Sequence, residues 1–130
     1  MIALNFFGKK AKFHHIGVVV KSIKDVSPAS EIIVDSVQKV HVSLVQLHGI
    51  KLEFIEPSGD DSPVIKSLKE GTKLVHICYT VDDIEKAINE CRNHGFLCIS
   101  LPVPSAAFKK NIVWVYSEEY GLFELLEEGK

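Results

Sequence analysis

The sequence is poor in the features that would place it in a special class. No apolar run reaches the roughly 18 to 20 residues that a membrane-spanning helix needs, so no span is expected. Met1 to Phe13 has no long apolar core followed by small residues, which speaks against a secretory leader. Cysteine is scarce: Cys78, Cys91 and Cys98 are odd in number and lack metal-ligand spacing. They read as small buried residues of a reducing compartment, and a cytoplasmic protein is expected. Neither sign of charge dominates, with 15 basic against 17 acidic residues and a net charge of -2. A nucleic-acid binder that works by neutralising phosphates is thereby excluded, since Lys9-Lys10 and Lys109-Lys110 are too short to change the balance. Arginine occurs once, as Arg92, so no arginine cluster awaits the carboxylates of an acidic ligand.

What is present is a soluble-protein composition, 46% hydrophobic and 25% charged, in 130 residues. That length suits a single domain over residues 1–130. Within it lies an internal repeat. His15-Ile16-Gly17-Val18-Val19-Val20-Lys21-Ser22-Ile23 and His76-Ile77-Cys78-Tyr79-Thr80-Val81-Asp82-Asp83-Ile84 share the template H-I-x-x-x-V-x-x-I. Leu52-Glu53-Phe54-Ile55-Glu56 and Phe123-Glu124-Leu125-Leu126-Glu127 share apolar-Glu-apolar-apolar-Glu. The chain therefore reads as two half-copies, about 13–57 and 73–127, joined by a loop over 58–72.

Hydrophobic alternation predicts strands over Phe13–Val20, Glu31–Val34, Val37–Leu47, Ile50–Ile55, Lys73–Thr80, Phe96–Leu101, Ile112–Tyr116 and Leu122–Leu126. His48-Gly49 and Ser117 to Gly121 read as hairpin turns. A capped helix starts at Ser22-Ile23-Lys24-Asp25, but Pro28 cuts it to a turn or two. Val64 to Lys69 reads as a short helix with Pro63 at its first position. In the second half Asp82 is the expected cap, with Glu85 three residues on. Ile84, Ala87, Ile88 and Cys91 then form one apolar face, and Gly95 closes the helix. Each half is strand, helix and three strands, the first helix shortened. The fold class is α+β, as two βαβββ modules whose antiparallel sheets curl around a shared cleft.

The repeat gives each half one histidine and one glutamate on apolar strands: His15 and Glu53, His76 and Glu124. A glutamate flanked by apolar residues is costly to bury unless paired or coordinated. Two imidazoles and two carboxylates suit one divalent cation, with Zn, Ni, Co, Mn and Fe all admissible. His14 falls on the opposite face of its strand and reads as structural. His41, His48 and His94 have no repeat partner and default to turn or surface roles.

At these residues the sequence resembles the vicinal oxygen chelate superfamily of glyoxalases and bleomycin resistance proteins, and most of all methylmalonyl-CoA epimerases. The likeness runs from about Phe13 to Glu127 and is weakest over Ser22 to Asp35. Lys51 to Pro57 with Asp60 to Pro63, Val75-His76-Ile77 with Val81 to Ile84, and Gly121 to Leu125 carry it. It implies a metal held by His15, Glu53, His76 and Glu124, with Glu124 and Glu53 as the catalytic carboxylates. It further implies proton transfer next to a carbonyl or thioester through a metal-stabilised enolate, on a small-molecule substrate. A homodimer is a further expectation. Epimerases of this type carry a second glutamate where this chain has Ser36 or Val37, and Asp35 is one or two positions off. A glyoxalase I-type lactoylglutathione lyase and a non-catalytic ligand-binding or partner protein are the alternatives.

Overall fold

A computed structural model describes residues 1–128 of the chain. Among the described residues nine strands and three helices make an α+β fold. The chain divides into two compact units, a central one of His15–His76 and a terminal one of Met1–His14 with Ile77 onward.

The central unit holds most of β1 (Lys12–Val19), then α1 (Ile23–Val26), β2 (Ile33–Asp35), β3 (Val40–Leu47), β4 (Ile50–Pro57), α2 (Ile65–Glu70) and the start of β5 (Leu74–Val81). Its strands hydrogen-bond in the order β2-β3-β4-β1. β3 and β4 close at His48 and Gly49, whose φ angles of 50° and 83° are those of a type I′ turn. β4 and β1 run parallel, pairing Gly17 with Glu53 and Val19 with Ile55. The expected all-antiparallel sheet is therefore mixed. The helix returns the chain once and β2-β3-β4 reverses it twice, so β4 ends pointing along β1.

Ser22 caps α1 by accepting the Asp25 N–H, and the helix stops after four residues. At about 1.5 Å per residue such a helix spans only about 6 Å. Its face of the sheet is incompletely covered: Ile16, Val18, Val45, Leu52 and Phe54 are half-buried. α2 begins at Ile65, so Pro63 precedes the cap residue Val64 instead of occupying the first turn.

The strand expected from Val37 begins only at Val40. Ser36 to Lys39 form a turn, because the Asp35 carboxylate accepts the Gln38 N–H at 3.0 Å and Lys39 adopts a φ of 59°. Val37 lies on that turn, 60% exposed. The turn also resets the alternation of faces. Asp35 pairs with Val40 in the antiparallel β2–β3 ladder, so its side chain shares a face with Val40, Val42 and Glu53 rather than the opposite one.

The terminal unit holds the remainder of β5, then α3 (Ile84–Arg92), β6 (Leu97–Cys98), β7 (Val103–Pro104), β8 (Asn111–Ser117) and β9 (Gly121–Glu127). β5 is parallel to β9 for the same topological reason, and β8 pairs with β9, β6 and β7. β6 is shorter than expected and ends at Cys98: the Ile99 N–H still donates to the Trp114 carbonyl at 2.9 Å, but the Trp114 N–H donates to the Ser100 hydroxyl at 2.9 Å. The α3 cap is Asp83, not Asp82, its carboxylate accepting the Lys86 N–H. α3 lays Ile84, Ala87 and Cys91 on Val81, Val113, Val115 and Leu125. Phe7, from a segment to which the sequence assigned no element, completes this core.

The last glutamate of each repeated motif has one job in both units. Glu56 accepts the N–H of Ile23 at 2.8 Å, and Glu127 accepts that of Ile84 at 3.0 Å. Each tethers the first residue of its unit's helix and places an anion at the positive helix end. We expect Glu127→Ala to lower the unfolding free energy by about 1 to 2 kcal/mol, and Glu127→Gln by less. Denaturant midpoints at unchanged m-value measure this.

Burial, and then the neighbouring Cys98, push the Cys91 thiol up to about 11 from an ordinary 9.0. The folded chain thus keeps a proton that the unfolded chain gives up near pH 9.0. This contribution is full at neutral pH and falls as pH rises from about 9 towards 11. Alkaline unfolding of Cys91→Ala against the parent should show a shallower decline across that window.

Candidate metal centre

Three of the four expected donors meet in the central unit. His15 is on β1, where buried residues alternate through His15, Gly17 and Val19. Glu53 is on β4, on the side-chain face it shares with Gly17, its register partner. His76 is on β5, whose start is brought alongside the end of β1 where the Val19 N–H donates to the Lys73 carbonyl at 2.8 Å. His15 is 0% exposed and Glu53 and His76 are each 6% exposed.

The atoms that converge are those with lone pairs. His15 Nε2 and His76 Nε2 lie 3.2 Å apart, and Glu53 Oε1 lies 3.4 Å from the first and 3.6 Å from the second. Two neutral imidazoles facing each other through Nε2 cannot both present a lone pair without repulsion. One ring donating its Nε2–H to the other resolves it, and so does a cation among the three atoms. Donors bound at about 2.1 Å to one ion stand about 3.0 to 3.4 Å apart at octahedral or tetrahedral angles. The observed spacing fits a divalent ion, and the donor set suits a borderline metal.

Glu124 belongs to the terminal unit. It sits on β9 between Cys78 of β5 and Trp114 of β8, 2% exposed. Cys78, Ile112 and Leu126 form an apolar cluster on this face, with Phe108 and Trp114 packed against it. Burying a carboxylate beside such residues is costly without a charged or hydrogen-bonding partner.

The other histidines have structural surroundings. His14 meets the Phe108 ring edge-on at 5.0 Å, and His94 lies 5.0 Å from Phe6. His48 makes the hairpin turn, and His41 Nδ1 pairs with Glu56 at 3.1 Å. Asp35 is also bound by the Gln38 side-chain amide at 2.9 Å. Gly17 was missed as a site residue. An added Cβ there would lie 2.2 Å from His76 Cε1, so the imidazole rests directly on the glycine. The only sequence signal was its place two residues after His15 in the repeated template.

Residues 14–113 match the Glyoxalase/Bleomycin resistance protein/Dioxygenase superfamily. The chain is 23% identical over 124 residues to the mitochondrial methylmalonyl-CoA epimerase of Mus musculus, covering 87% of this chain and 70% of that protein. It spans about half, 48%, of the human counterpart, at 29% identity over 84 residues, or 63% of this chain. It is 30% identical to the uncharacterized protein YqjC of Bacillus subtilis, with 89% of this chain and 91% of that one covered. Among solved structures, a hypothetical protein from Bacillus halodurans C-125 superposes with a TM-score of 0.78 at 29% identity, over 94% and 97% of the two chains. A variant of the Streptomyces coelicolor methylmalonyl-CoA epimerase in complex with 2-nitronate-propionyl-CoA shares the fold, with a TM-score of 0.72 at 19% identity over 89% and 93%. With the repeated strand-helix order and more than half its length matched, the chain belongs to the glyoxalase/bleomycin resistance protein/dioxygenase superfamily.

Proposed function

We propose that the protein is a metal-dependent isomerase or lyase that moves a proton next to the carbonyl or thioester of a small molecule, in the manner of a methylmalonyl-CoA epimerase. The observation that carries this reading is the buried set of two imidazole nitrogens and a carboxylate oxygen, 3.2 to 3.6 Å apart. In it His15, Glu53, His76 and Glu124 hold one divalent ion, any of Zn, Ni, Co, Mn or Fe. Support for Glu124 comes from the repeat, which equates it with Glu53, and from its burial. When bound, the ion supplies positive charge for the oxygen that becomes negative as the neighbouring C–H is deprotonated.

His15 and His76 contribute neutral nitrogen donors whose burial excludes water. Glu124 and Glu53 serve as the proton carriers, since a carboxylate at the rim of the donor set can take a proton and return it. Relatives described as methylmalonyl-CoA epimerases, and a neighbour solved with a propionyl-CoA analogue, favour an acyl-CoA substrate. A cytoplasmic location and a homodimer belong to the same reading.

One observation favours a second reading. Ser36 and Val37, where epimerases of this type carry another glutamate, have no carboxylate of their own, Val37 faces solvent, and the neighbouring Asp35 carboxylate is engaged by Gln38. A glyoxalase I-type lactoylglutathione lyase needs only the donor-set carboxylates as proton carriers. Retention of the buried donor set argues against the third reading, a non-catalytic ligand-binding or partner protein on this fold.

Metal content and calorimetric titration with divalent ions come first, and a protein with no affinity for them would end both enzymatic readings. Solvent deuterium should enter methylmalonyl-CoA only with metal-loaded protein. Turnover of a hemithioacetal in place of that exchange would select the lyase. Glu124→Gln should reduce turnover by about 10² to 10⁴-fold while leaving the thermal midpoint near the parent value.

A further inference from the structure

We infer that Gly17 is a positioning residue for His76, its missing side chain leaving the space in which the imidazole reaches His15 and Glu53. The functional meaning rests on the metal-site reading above; the steric relation does not. Gly17 lies inside β1 and is not among the glycines with positive φ, so its backbone is open to any residue. In a strand interior glycine is a weak choice, destabilising by roughly 0.5 to 1 kcal/mol relative to alanine. The reason for it lies across the sheet. A Cβ at Gly17 would stand 2.2, 2.4 and 2.7 Å from His76 Cε1, Nδ1 and Nε2. Ordinary contact distance is about 3.5 to 4.0 Å, so the ring would have to move by more than about 1 Å.

Little room exists for that movement, because the His76 side chain is 2% exposed. The same ring carries Nε2, held 3.2 Å from His15 Nε2 and 3.6 Å from Glu53 Oε1. Glu53 is also the register partner of Gly17, so glycine, carboxylate and imidazole are adjacent on one face. The strand template does not itself demand glycine. Cys78 fills the equivalent position of the second half-copy and is fully buried. Glycine at 17 therefore answers to the ring above it. Any side chain there should move His76 out of the donor set, in the way that altering a residue supporting a ligand typically weakens metal binding by about 10 to 100-fold.

The test compares the parent protein with Gly17→Ala, His76→Ala and the double variant. Zn²⁺ and Co²⁺ are titrated into each, with the Co²⁺ absorption spectrum, the thermal midpoint of the metal-free protein and its histidine ring NMR signals as readouts. We expect Gly17→Ala to bind either ion about 10 to 100-fold more weakly, with a changed Co²⁺ spectrum and shifted His76 signals even without metal. In the His76→Ala background the same substitution should leave affinity unchanged and leave or raise the thermal midpoint. Parent-like affinity, spectrum and ring signals in Gly17→Ala would overturn the proposal, as would an equal loss of affinity with His76 absent. Should Gly17→Ala fail to fold, recovery in the double variant supports the steric relation and failure to recover overturns it. If the parent takes up neither ion, the metal reading falls, and the metal-free ring signals still decide whether Gly17 positions His76.

Discussion

A carboxylate taken out of water must find positive charge or hydrogen-bond donors, and this demand governs the centre of the molecule. Glu53 faces two imidazole nitrogens, at 3.4 and 3.6 Å, and a proton or a cation shared among the three atoms would meet it. The arrangement needs three strands in fixed order. β4 supplies the acid, its parallel neighbour β1 supplies His15 and the bare Cα of Gly17, and the beginning of β5 supplies the ring that lies over that Cα. A one-residue slip of β1 against β4 would turn each of these side chains to the other face.

The apolar-Glu-apolar-apolar-Glu motif serves two faces at once. Residues three apart on a strand point to opposite sides, so the two acids of each motif face opposite ways, the second towards its unit's helix. Glu56 and Glu127 then accept the first N–H of α1 and α3. The two units use this device identically but differ in what the helix covers. Nine residues of α3 seal Val113, Val115 and Leu125, whereas four residues of α1 leave the corresponding apolar side chains Val45 and Phe54 half-buried.

Much of this was legible in the chain because the repeat is nearly literal. It pointed to His15, Glu53 and His76 before any fold was known, and those three side chains come together. The same register would have placed the α3 cap correctly, since Asp83 aligns with Ser22; a local capping-box match drew attention to Asp82 instead. Other features depend on contacts distant in sequence. Phe7 joins the terminal core only through partners more than seventy residues away, such as Val81 and Leu125. The face of Asp35 could not be counted along the strand, because the turn at Ser36–Lys39 intervenes and restarts the alternation. Gly17 was invisible as a site residue for a simpler reason: its contribution is the absence of atoms.

The thin cover left by α1 bears on how the central unit breathes. Backbone hydrogen bonds under a half-wetted apolar face open more readily than those beneath a sealed one. The segment that carries three clustered donors is thus the segment with less packing to hold it shut. A ligand that clamps His15, Glu53 and His76 together would brace the strands that lie under this thinner cover, and part of its binding free energy would appear as suppressed amide exchange along β1 and β4.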